Sequence, residues 1–279
     1  MNVLAVLQST TAYFKKRAIE SPRLNAEHLL AHALGRKRIE LYLDFDRLLE
    51  EAELAPLREL VRRRGLGEPL QHLLGTVEFC GKEFLCDKRA LIPRPETEEL
   101  VELLISQSES RKLGKILDVG TGSGVIALSL AAALPEAEVN AIDISADALA
   151  LARENASRLA LGDRVQFEQS DFVSFAGRGY DLVVANLPYV PTKERGSLER
   201  EVLHDPAMAL FGGEVGDEII RQLIALAPTF LAPGGQLALE VGIGQGDALS
   251  AALADGNYRD VSQRHDSAGV TRFLLARHG

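Results

Sequence analysis

The chain has 279 residues, a length typical of one large domain or two smaller ones. Apolar residues make up 46% and charged residues 25%, which excludes a disordered chain, a collagen-like repeat and a coiled coil. Residues 1–75 hold 12 basic and 10 acidic side chains, whereas residues 76–279 hold 19 and 30. The longer segment is therefore strongly acidic, and with no Trp and 5% aromatic residues it is poorly suited to bind nucleic acid.

The apolar runs are shorter than the roughly 20 residues that a membrane span needs. Met1–Thr10 lacks a basic stretch followed by an apolar core, so no secretion signal is predicted. Cys80 and Cys86 are too few for a disulfide framework and are spaced unlike zinc ligands. We therefore expect a cytoplasmic protein with reduced thiols, no metal site and no membrane partner.

Residues 1–66 show leucine and aromatic residues at helical spacing. Turn residues interrupt this pattern at Ser21-Pro22, at Gly35 and at Gly65-Leu66-Gly67. The sequence therefore predicts a small helical bundle, which we assign to a separate N-terminal domain of residues 1–75.

Residues 76–92 are predicted to form a β-hairpin that links two domains, because apolar residues flank a turn at Cys80-Gly81-Lys82. The segment Pro93-Arg94-Pro95-Glu96-Thr97-Glu98 then leads into a helix that ends near Ser108. Pro95 suits a first helical turn, and the acids that follow it suit the positive end of the helix.

From residue 115 onward, short strand patterns alternate with helical patterns. Strands are predicted at 115–119, 138–143, 164–169, 181–185 and 236–241, and helices at 123–134, 146–161, 216–226 and 247–254. Two last strands, near 258–262 and 270–276, are predicted to pair in antiparallel fashion. The pattern indicates an α/β domain over residues 93–279, with a mostly parallel sheet that binds ligands at the carboxyl ends of its strands.

A glycine-rich turn follows the first strand of this sheet. Val125 stands where a dinucleotide-binding fingerprint has its third glycine, and no Lys follows as it would in a P-loop. Glycines allow close approach of a ligand, and an acid just before them attracts a cation or an amino group. The turn is predicted to bind a cofactor through Asp118, Gly120, Thr121, Gly122, Ser123 and Gly124.

Acidic residues also follow the next two strands. Asp143, with Ile144 beside it, is placed to accept hydrogen bonds from ribose hydroxyls. Asp171 and Phe172 are placed to bind the amino group and the ring of an adenine. Each also has an ordinary interpretation, as a helix cap, a turn residue or a core residue. Their occurrence after successive strands favours a nucleoside with a cationic amino-acid arm, which describes S-adenosylmethionine.

The tetrapeptide Asn186-Leu187-Pro188-Tyr189 follows the fourth strand. It resembles the Asn-Pro-Pro-Tyr motif of methyltransferases that act on amide or exocyclic amino nitrogens. Such a motif must accept both hydrogens of a planar –NH₂ group. The Asn186 side-chain oxygen can accept one hydrogen and a backbone carbonyl of the turn can accept the other. Leu187 supplies that carbonyl as well as the usual Pro, although it does not fix φ.

Six further segments resemble the release factor glutamine methyltransferases. They are Gly67-Glu68-Pro69, Phe79-x-Gly81-x-x-Phe84, Pro93–Glu98, Asp118–Gly124, the Asp205–Gly213 run Asp-Pro-Ala-Met-Ala-Leu-Phe-Gly-Gly, and Leu239-Glu240-Val241-Gly242. The match spans about residues 60–275. The Pro93–Glu98 form favours this family over the related enzymes that methylate a ribosomal-protein glutamine.

The resemblance implies a seven-stranded, Rossmann-like S-adenosylmethionine-dependent methyltransferase sheet behind a helical bundle that grips the protein substrate. It implies transfer of a methyl group to the side-chain amide nitrogen (N5) of the glutamine in the Gly-Gly-Gln motif of peptide chain release factors, by a monomer. Asn186, Pro188 and Tyr189 are the implied catalytic residues, and Asn186 also borders the cofactor. The substrate amide is implied to contact Asn186, Leu187, Pro188 and Tyr189, with the Tyr189 ring near the sulfonium. Glu240 is predicted to brace the site from behind.

Three alternatives remain open at this point. The chain could methylate a ribosomal-protein glutamine, or the N6 atom of an RNA adenine, since Asn-Leu-Pro-Tyr also resembles the motif of ribosomal RNA adenine dimethyltransferases. The acidic residues 76–279 weigh against RNA. It could also be an inactive module that binds S-adenosylmethionine, although the intact Asn186 and glycine-rich turn weigh against that interpretation.

Overall fold

The computed structural model describes residues 1–108 and 111–279. Packing divides the chain into two compact units. The helical unit comprises Met1–Thr76 together with Glu199–His204, and the sheet unit comprises Val77–Leu198 together with Asp205–Gly279. Within the described ranges, no helix is long and apolar enough to cross a membrane.

The helical unit is the bundle that the sequence predicts. Its helices are α1 (Val3–Lys16), α2 (Pro22–Ala33), α3 (Glu51–Gly65) and α4 (Leu70–Leu74), with a 3₁₀ turn at Arg38–Tyr42. The side chain of Asn2 caps α1 by accepting a hydrogen bond from the Ala5 amide at 2.9 Å. The largest fully buried side chains in its core are Phe14, Leu29, Leu30 and Leu41.

Arg64 is a buried cation of the helical unit, with a side chain that is 3% exposed. Its Nε atom donates to Asn25 Oδ1 at 2.7 Å, and its Nη2 atom donates to Glu201 Oε1 at 2.5 Å. The Glu199–His204 segment is therefore joined to the helices of this unit by an ion pair between a buried arginine and a partly exposed glutamate.

A two-stranded hairpin of β1 (Thr76–Phe79) and β2 (Lys82–Leu85) precedes the main sheet, as predicted. The first half of the sheet unit then contains α5 (Pro95–Ser108), β3 (Lys115–Val119), α6 (Val125–Ala133), β4 (Glu138–Asp143), α7 (Ala146–Arg158), β5 (Val165–Gln169) and β6 (Tyr180–Asn186). The second half contains β7 (Val190–Pro191), α8 (Ala207–Leu210), β8 (Phe211–Gly213), α9 (Glu218–Leu226), β9 (Leu231–Glu240), α10 (Gly246–Asp255), β10 (Tyr258–His265) and β11 (Thr271–His278).

The main sheet has seven strands in the order β10-β11-β9-β6-β3-β4-β5. Strands β5, β4, β3, β6 and β9 pair in parallel, whereas β11 is antiparallel to β9 and β10 is antiparallel to β11. The predicted Rossmann-like sheet is thus confirmed. The chain moves outward from β3 to β5 and then returns to β6, so the direction of winding reverses between β3 and β6. The carboxyl ends of these two strands, Val119 and Asn186, mark the expected ligand site.

Alternate residues of the central strands face two separate cores. Ile116, Leu182 and Val184 pack on one face, against α5 and α6. Leu117, Val119, Val183 and Leu237 lie on the other face, against α9 and α10. Helices on both faces explain why the central strands are continuous apolar runs without polar alternation.

Several elements differ from the predictions. Helix α8 (Ala207–Leu210) was not predicted, and β10 extends to His265 instead of ending near residue 262. Strand β9 begins at Leu231, five residues before the predicted start, because an irregularity in its pairing with β6 accommodates Pro233-Gly234-Gly235. Strands β7 and β8 form a separate two-stranded parallel pair, Val190 opposite Phe211. The sequence analysis did not include this pair because two or three residues are too few to show a period-two pattern.

Candidate functional site

A cavity of about 310 Å³ lies at the switch point of the main sheet. Its wall comes from the loops that follow β3, β4, β5 and β6, and from two further segments, 89–97 and 206–209. It contains these predicted site residues: Gly120, Thr121, Gly122, Ser123, Asp143, Ile144, Asp171, Phe172, Asn186, Leu187 and Pro188. The parallel topology therefore brings four loops that are distant in sequence to one site.

The turn after β3 is held in a shape that suits glycine. Gly120, Gly122 and Gly124 have φ values of +74°, +57° and +83°, which L-residues rarely adopt. The amides of Gly120 and Thr121 both donate to the Ile142 carbonyl, at 2.9 and 3.0 Å, so the turn is anchored to β4. A Cβ on Gly120 would lie 2.8 Å from Cδ2 of Leu187, whereas one on Gly122 would meet only Ala90 at 3.9 Å. Gly120 thus makes room for Leu187, and Gly122 leaves bare backbone at the cavity.

Gly124, which was predicted to contact a cofactor, is not among the residues that line the cavity. It is the residue at the N-terminus of α6, and a Cβ there would lie 3.1 Å from both Ala152 and Leu128. Its role in this structure is close packing between the turn and α7.

Asp118 also lies away from the cavity wall, although it was predicted to bind the cofactor. Its side chain is fully buried beneath the turn, where Oδ2 accepts from the Thr121 hydroxyl at 2.7 Å and from the Ala127 amide at 3.2 Å. Oδ1 is buried without a hydrogen-bond partner. Burial raises the pKa of this carboxyl to about 7. Asp118 therefore fixes the turn to the start of α6, because β3 directs its side chain toward the face that this helix covers.

Asp143 lines the cavity at the end of β4. One carboxylate oxygen accepts from the Ser145 amide at 2.8 Å and the other accepts from the Gly122 amide at 2.9 Å. Burial raises the pKa of Asp143, and these two bonds oppose that rise. Two amides leave free lone pairs on the carboxylate, so it can still accept hydrogen bonds from a pair of hydroxyls.

Asp171 and Phe172 line the neighbouring part of the wall. Asp171 is exposed, and its Oδ1 accepts from the Val173 amide at 3.0 Å, so it also closes a local turn. Phe172 is half-buried and packs against the core beneath α9 and α10. Asp171 is thus a turn residue and Phe172 is partly a core residue, and neither role prevents contact with a planar ring in the cavity.

Asn186 stands at the end of β6 with its side chain joined to two other polar groups. Its Nδ2 atom donates to the Thr97 hydroxyl at 2.9 Å. The Thr97 hydroxyl donates in turn to Oε2 of Glu240 at 2.6 Å. Since Nδ2 is occupied in this way, the Oδ1 atom of Asn186 is the end of the amide that remains for a ligand.

Leu187 and Pro188 complete this corner of the cavity. The Leu187 side chain is 6% exposed and belongs to the core beneath α9 and α10. The Pro188 carbonyl oxygen lies against Gly212, where an added Cβ would come within 2.3 Å of it. The Pro188 carbonyl is therefore covered by the loop before α9, which favours Leu187 as the source of a free backbone acceptor.

Two family models match this chain. The PrmC N-terminal domain matches residues 5–75, and the methyltransferase small domain matches residues 96–215. A release factor glutamine methyltransferase of Geobacter sulfurreducens is 41% identical over 276 residues, covering 98% of this chain and 96% of the relative. The chain belongs to the release factor glutamine methyltransferase family.

Other members of the release factor glutamine methyltransferase family are comparably similar. The one from Rhodopirellula baltica is 42% identical over 282 residues, covering 98% of this chain and 95% of the relative. The one from Deinococcus radiodurans is 39% identical over 277 residues, covering 99% of each. The similarity to the family therefore extends through both units rather than through the sheet unit alone.

Tyr189, the last residue of the family tetrapeptide, is not among the side chains that line the cavity. Its hydroxyl accepts from Arg272 Nη2 at 3.2 Å, and the Arg272 guanidinium lies 5.4 Å from the ring centroid. Burial raises the pKa of Tyr189, so its hydroxyl stays protonated at neutral pH. The ring is thus held by Arg272 of β11, and its position beside a sulfonium stays a prediction.

Thr97 and Asp205 also shape this site, although neither was predicted as a site residue. Thr97 lines the cavity and holds Asn186. Asp205 binds the Arg94 guanidinium at 2.5 Å and accepts from the Ile92 amide at 3.1 Å, which fixes the cavity segment around Arg94. Both residues fall inside segments that carry the family resemblance, but their partners are distant in sequence. Among the described residues, no group of three His, Cys, Asp or Glu side chains could hold a metal ion.

Proposed function

We propose that this chain transfers the methyl group of S-adenosylmethionine to the side-chain amide nitrogen (N5) of the glutamine in the Gly-Gly-Gln motif of peptide chain release factors. The observation that carries the proposal is the position of Asn186 on the cavity wall with its Nδ2 bonded to Thr97, which leaves Oδ1 as an acceptor. The backbone carbonyl of Leu187, which also lines the cavity, is the second acceptor that we propose. Two acceptors side by side suit a group with two N–H donors, which a primary carboxamide has. Membership of the release factor glutamine methyltransferase family indicates which protein carries this carboxamide, namely a peptide chain release factor.

The cavity wall fits the proposed cofactor. Bare backbone at Gly122 allows close approach of the amino-acid arm, the Asp143 carboxylate can accept from ribose hydroxyls, and Asp171 with Phe172 suits an adenine. When bound, S-adenosylmethionine supplies an electrophilic methyl group on a sulfonium. Asn186 is the residue that we propose borders both the cofactor and the substrate.

The proposed task of the site residues is to orient a weak nucleophile. The lone pair of a carboxamide nitrogen is delocalised into its carbonyl. Holding both N–H groups on Asn186 and Leu187 fixes the nitrogen in space and stabilises the positive charge that grows on it. Such positioning can supply about 7–11 kcal/mol of a barrier. The methyl group would pass from the sulfonium to the nitrogen, the electron pair of the broken sulfur–methyl bond would stay on sulfur as a neutral thioether, and the nitrogen would lose one proton to solvent. No covalent intermediate with the protein is needed.

The proposal extends to the setting of the reaction. We propose that the helical unit contacts the release factor, that the chain acts as a monomer, and that the reaction takes place in the cytoplasm, where release factors act. We also propose that residues 1–75 form a recognition domain, that residues 76–92 form a hairpin linker and that residues 93–279 form the catalytic domain.

A transfer assay with labelled S-adenosylmethionine tests the proposed function. Purified release factor, ribosomal proteins and ribosomal RNA are offered separately, and the product is mapped by mass spectrometry. We expect one added methyl group on the glutamine of the Gly-Gly-Gln peptide. Label in a ribosomal protein or in RNA would overturn the substrate, and cofactor binding without any transfer would indicate an inactive binding module.

Asn186→Ala tests the assigned role of Asn186 in the same assay. We expect transfer to be abolished while S-adenosylmethionine binds with near-normal affinity, because the lost hydrogen bond belongs to the substrate amide. Asn257→Ala is the matched control, since Asn257 is exposed and distant from the cavity wall. Near-normal turnover by the Asn186 variant would remove this residue from the mechanism.

A further inference from the structure

The hydrogen bonds behind Asn186 have a fixed direction. A threonine hydroxyl has one proton, and an ionised carboxylate can only accept. With Glu240 ionised, the Thr97 proton points to Glu240 Oε2 at 2.6 Å. Thr97 can then only accept from Asn186, so the –NH₂ end of that amide must face Thr97 and the Oδ1 end must face the cavity.

The charge on Glu240 determines this direction. Its carboxylate is fully buried, and its Oε1 lies 3.9 Å from the Arg272 guanidinium. Burial and the negative charge of Glu96 raise the pKa of Glu240 to about 7, against the Thr97 hydrogen bond and the positive charge of Arg272, which favour the ionised form. A protonated Glu240 could donate to Thr97, whose own proton could then turn to Asn186 Oδ1. That reversal would present the –NH₂ end of Asn186 to the substrate.

We propose that Thr97 and Glu240 are positioning residues that keep the Asn186 oxygen toward the substrate, and that they thereby make the site select a carboxamide over a carboxylate. This inference rests on the proposed function, because it concerns the amide that is to be methylated. Two fixed acceptors bind the –NH₂ of glutamine and repel the oxygens of glutamate. We call the hydrogen bonds from Asn186 to Thr97 and from Thr97 to Glu240 the Asn186 lock. Without these bonds, the Asn186 amide can rotate and donate to a carboxylate.

Three variants separate the lock from simple packing. Thr97→Val keeps the shape of the side chain but removes its hydroxyl, Thr97→Ser keeps the hydroxyl, and Glu240→Gln can donate to Thr97. We expect kcat to fall about tenfold in Thr97→Val, the factor that a hydrogen bond of about 1.4 kcal/mol represents. Thr97→Ser should remain close to the wild-type value and Glu240→Gln should not. Thr229→Val is the control, because the Thr229 hydroxyl donates to the Leu226 carbonyl and Thr229 is not among the residues that line the cavity.

The discriminating measurement compares two peptides that differ only in Gly-Gly-Gln against Gly-Gly-Glu, each tested as a competitive inhibitor of transfer to the release factor. The wild-type chain should prefer the amide peptide, and Thr97→Val should reduce that preference about tenfold. Loss of packing alone would weaken both peptides equally. An unchanged preference in Thr97→Val would overturn the proposal.

A spectroscopic measurement keeps this inference separate from the proposed function. The side-chain ¹⁵N–¹H signals of Asn186, identified as those lost in Asn186→Ala, should exchange slowly in the wild-type chain and at least tenfold faster in Thr97→Val. Equal exchange in the two proteins would refute the lock. Absence of release factor methylation by the wild-type chain would refute the proposed function, while slow exchange would still support the fixed orientation of Asn186.

Discussion

Replacing Gly120 with alanine tests the contact between the glycine-rich turn and the family tetrapeptide. The φ value of +74° costs an L-residue about 1–2 kcal/mol. The added Cβ would also lie 2.8 Å from Cδ2 of Leu187, and overpacking of a buried site costs about 1–3 kcal/mol. We therefore expect Gly120→Ala to lower the free energy of unfolding by about 2–5 kcal/mol.

A double-mutant cycle separates these two contributions. Leu187→Ala alone leaves a cavity and should also destabilise the chain. In the Leu187→Ala background, however, Gly120→Ala should cost only the backbone share of about 1–2 kcal/mol, because the contacting methyl group is gone. The expected coupling is therefore about 1–3 kcal/mol, measured by urea unfolding of the four proteins.

Two other glycines provide matched controls for this cycle. Gly122 has a φ value of +57° but open space around its Cβ position, so Gly122→Ala should show the backbone cost alone. Gly162 has no atom within 4 Å of its Cβ position and no positive φ, so Gly162→Ala should change the free energy of unfolding by less than about 0.5 kcal/mol. Additive effects of Gly120→Ala and Leu187→Ala would refute the argument that Leu187 packs on Gly120.

Three further predictions concern buried polar groups. Asp143→Ala should weaken S-adenosylmethionine binding by about 1.5–3 kcal/mol, as measured by calorimetry, and unchanged affinity would remove Asp143 from the cofactor site. Burial raises the pKa of Asp118 to about 7 from an ordinary value of 3.8. Between these two pH values the folded chain keeps a proton that the unfolded chain has lost. The free energy of unfolding should therefore fall as the pH rises from about 4 to 7. Asp118→Asn should therefore flatten the decrease in Tm between pH 5 and pH 8, and an unaltered decrease would contradict the assignment. Arg64→Ala should destabilise the helical unit by about 1–3 kcal/mol in urea unfolding because Asn25 Oδ1 loses its donor, whereas an unchanged transition would rule out that bond as a contributor.

Much of the fold follows from the sequence because short strand patterns, largely apolar in β3 and β6, alternate with helical patterns. The predicted limits of β3 and β4 coincide with Lys115–Val119 and Glu138–Asp143, and each is followed by turn residues and a helical pattern. The pairing of Val190 with Phe211 could not be predicted in this way, since it depends on how two loops meet in space.

The candidate site was only partly predictable, for a physical reason. Strand ends place Asp143 and Asn186 on the cavity wall, because parallel strands have their carboxyl ends at one edge of the sheet. The period-two alternation of β3 does give a signal for Asp118, which shares the face of Ile116 and so points toward α6. The positions of Thr97 and Tyr189 depend on Glu240 and Arg272, which are 143 and 83 residues away and lie on other strands.

The helical unit is discontinuous in the chain, because Glu199–His204 belongs to it while the residues on either side belong to the sheet unit. The polypeptide therefore passes between the two units three times, at residues 76–77, 198–199 and 204–205. A chimaera could take its first 76 residues from a relative and the remainder from this chain. The donor residue at position 64 would then face Glu201 of this chain instead of the partner with which it evolved. A change in the helical unit that alters the bond between Arg64 and Glu201 alters a contact only four residues before Asp205. Sequence changes in the helices and in Glu199–His204 are thus expected to be correlated, and exchange of the helical unit between relatives requires two grafts instead of one.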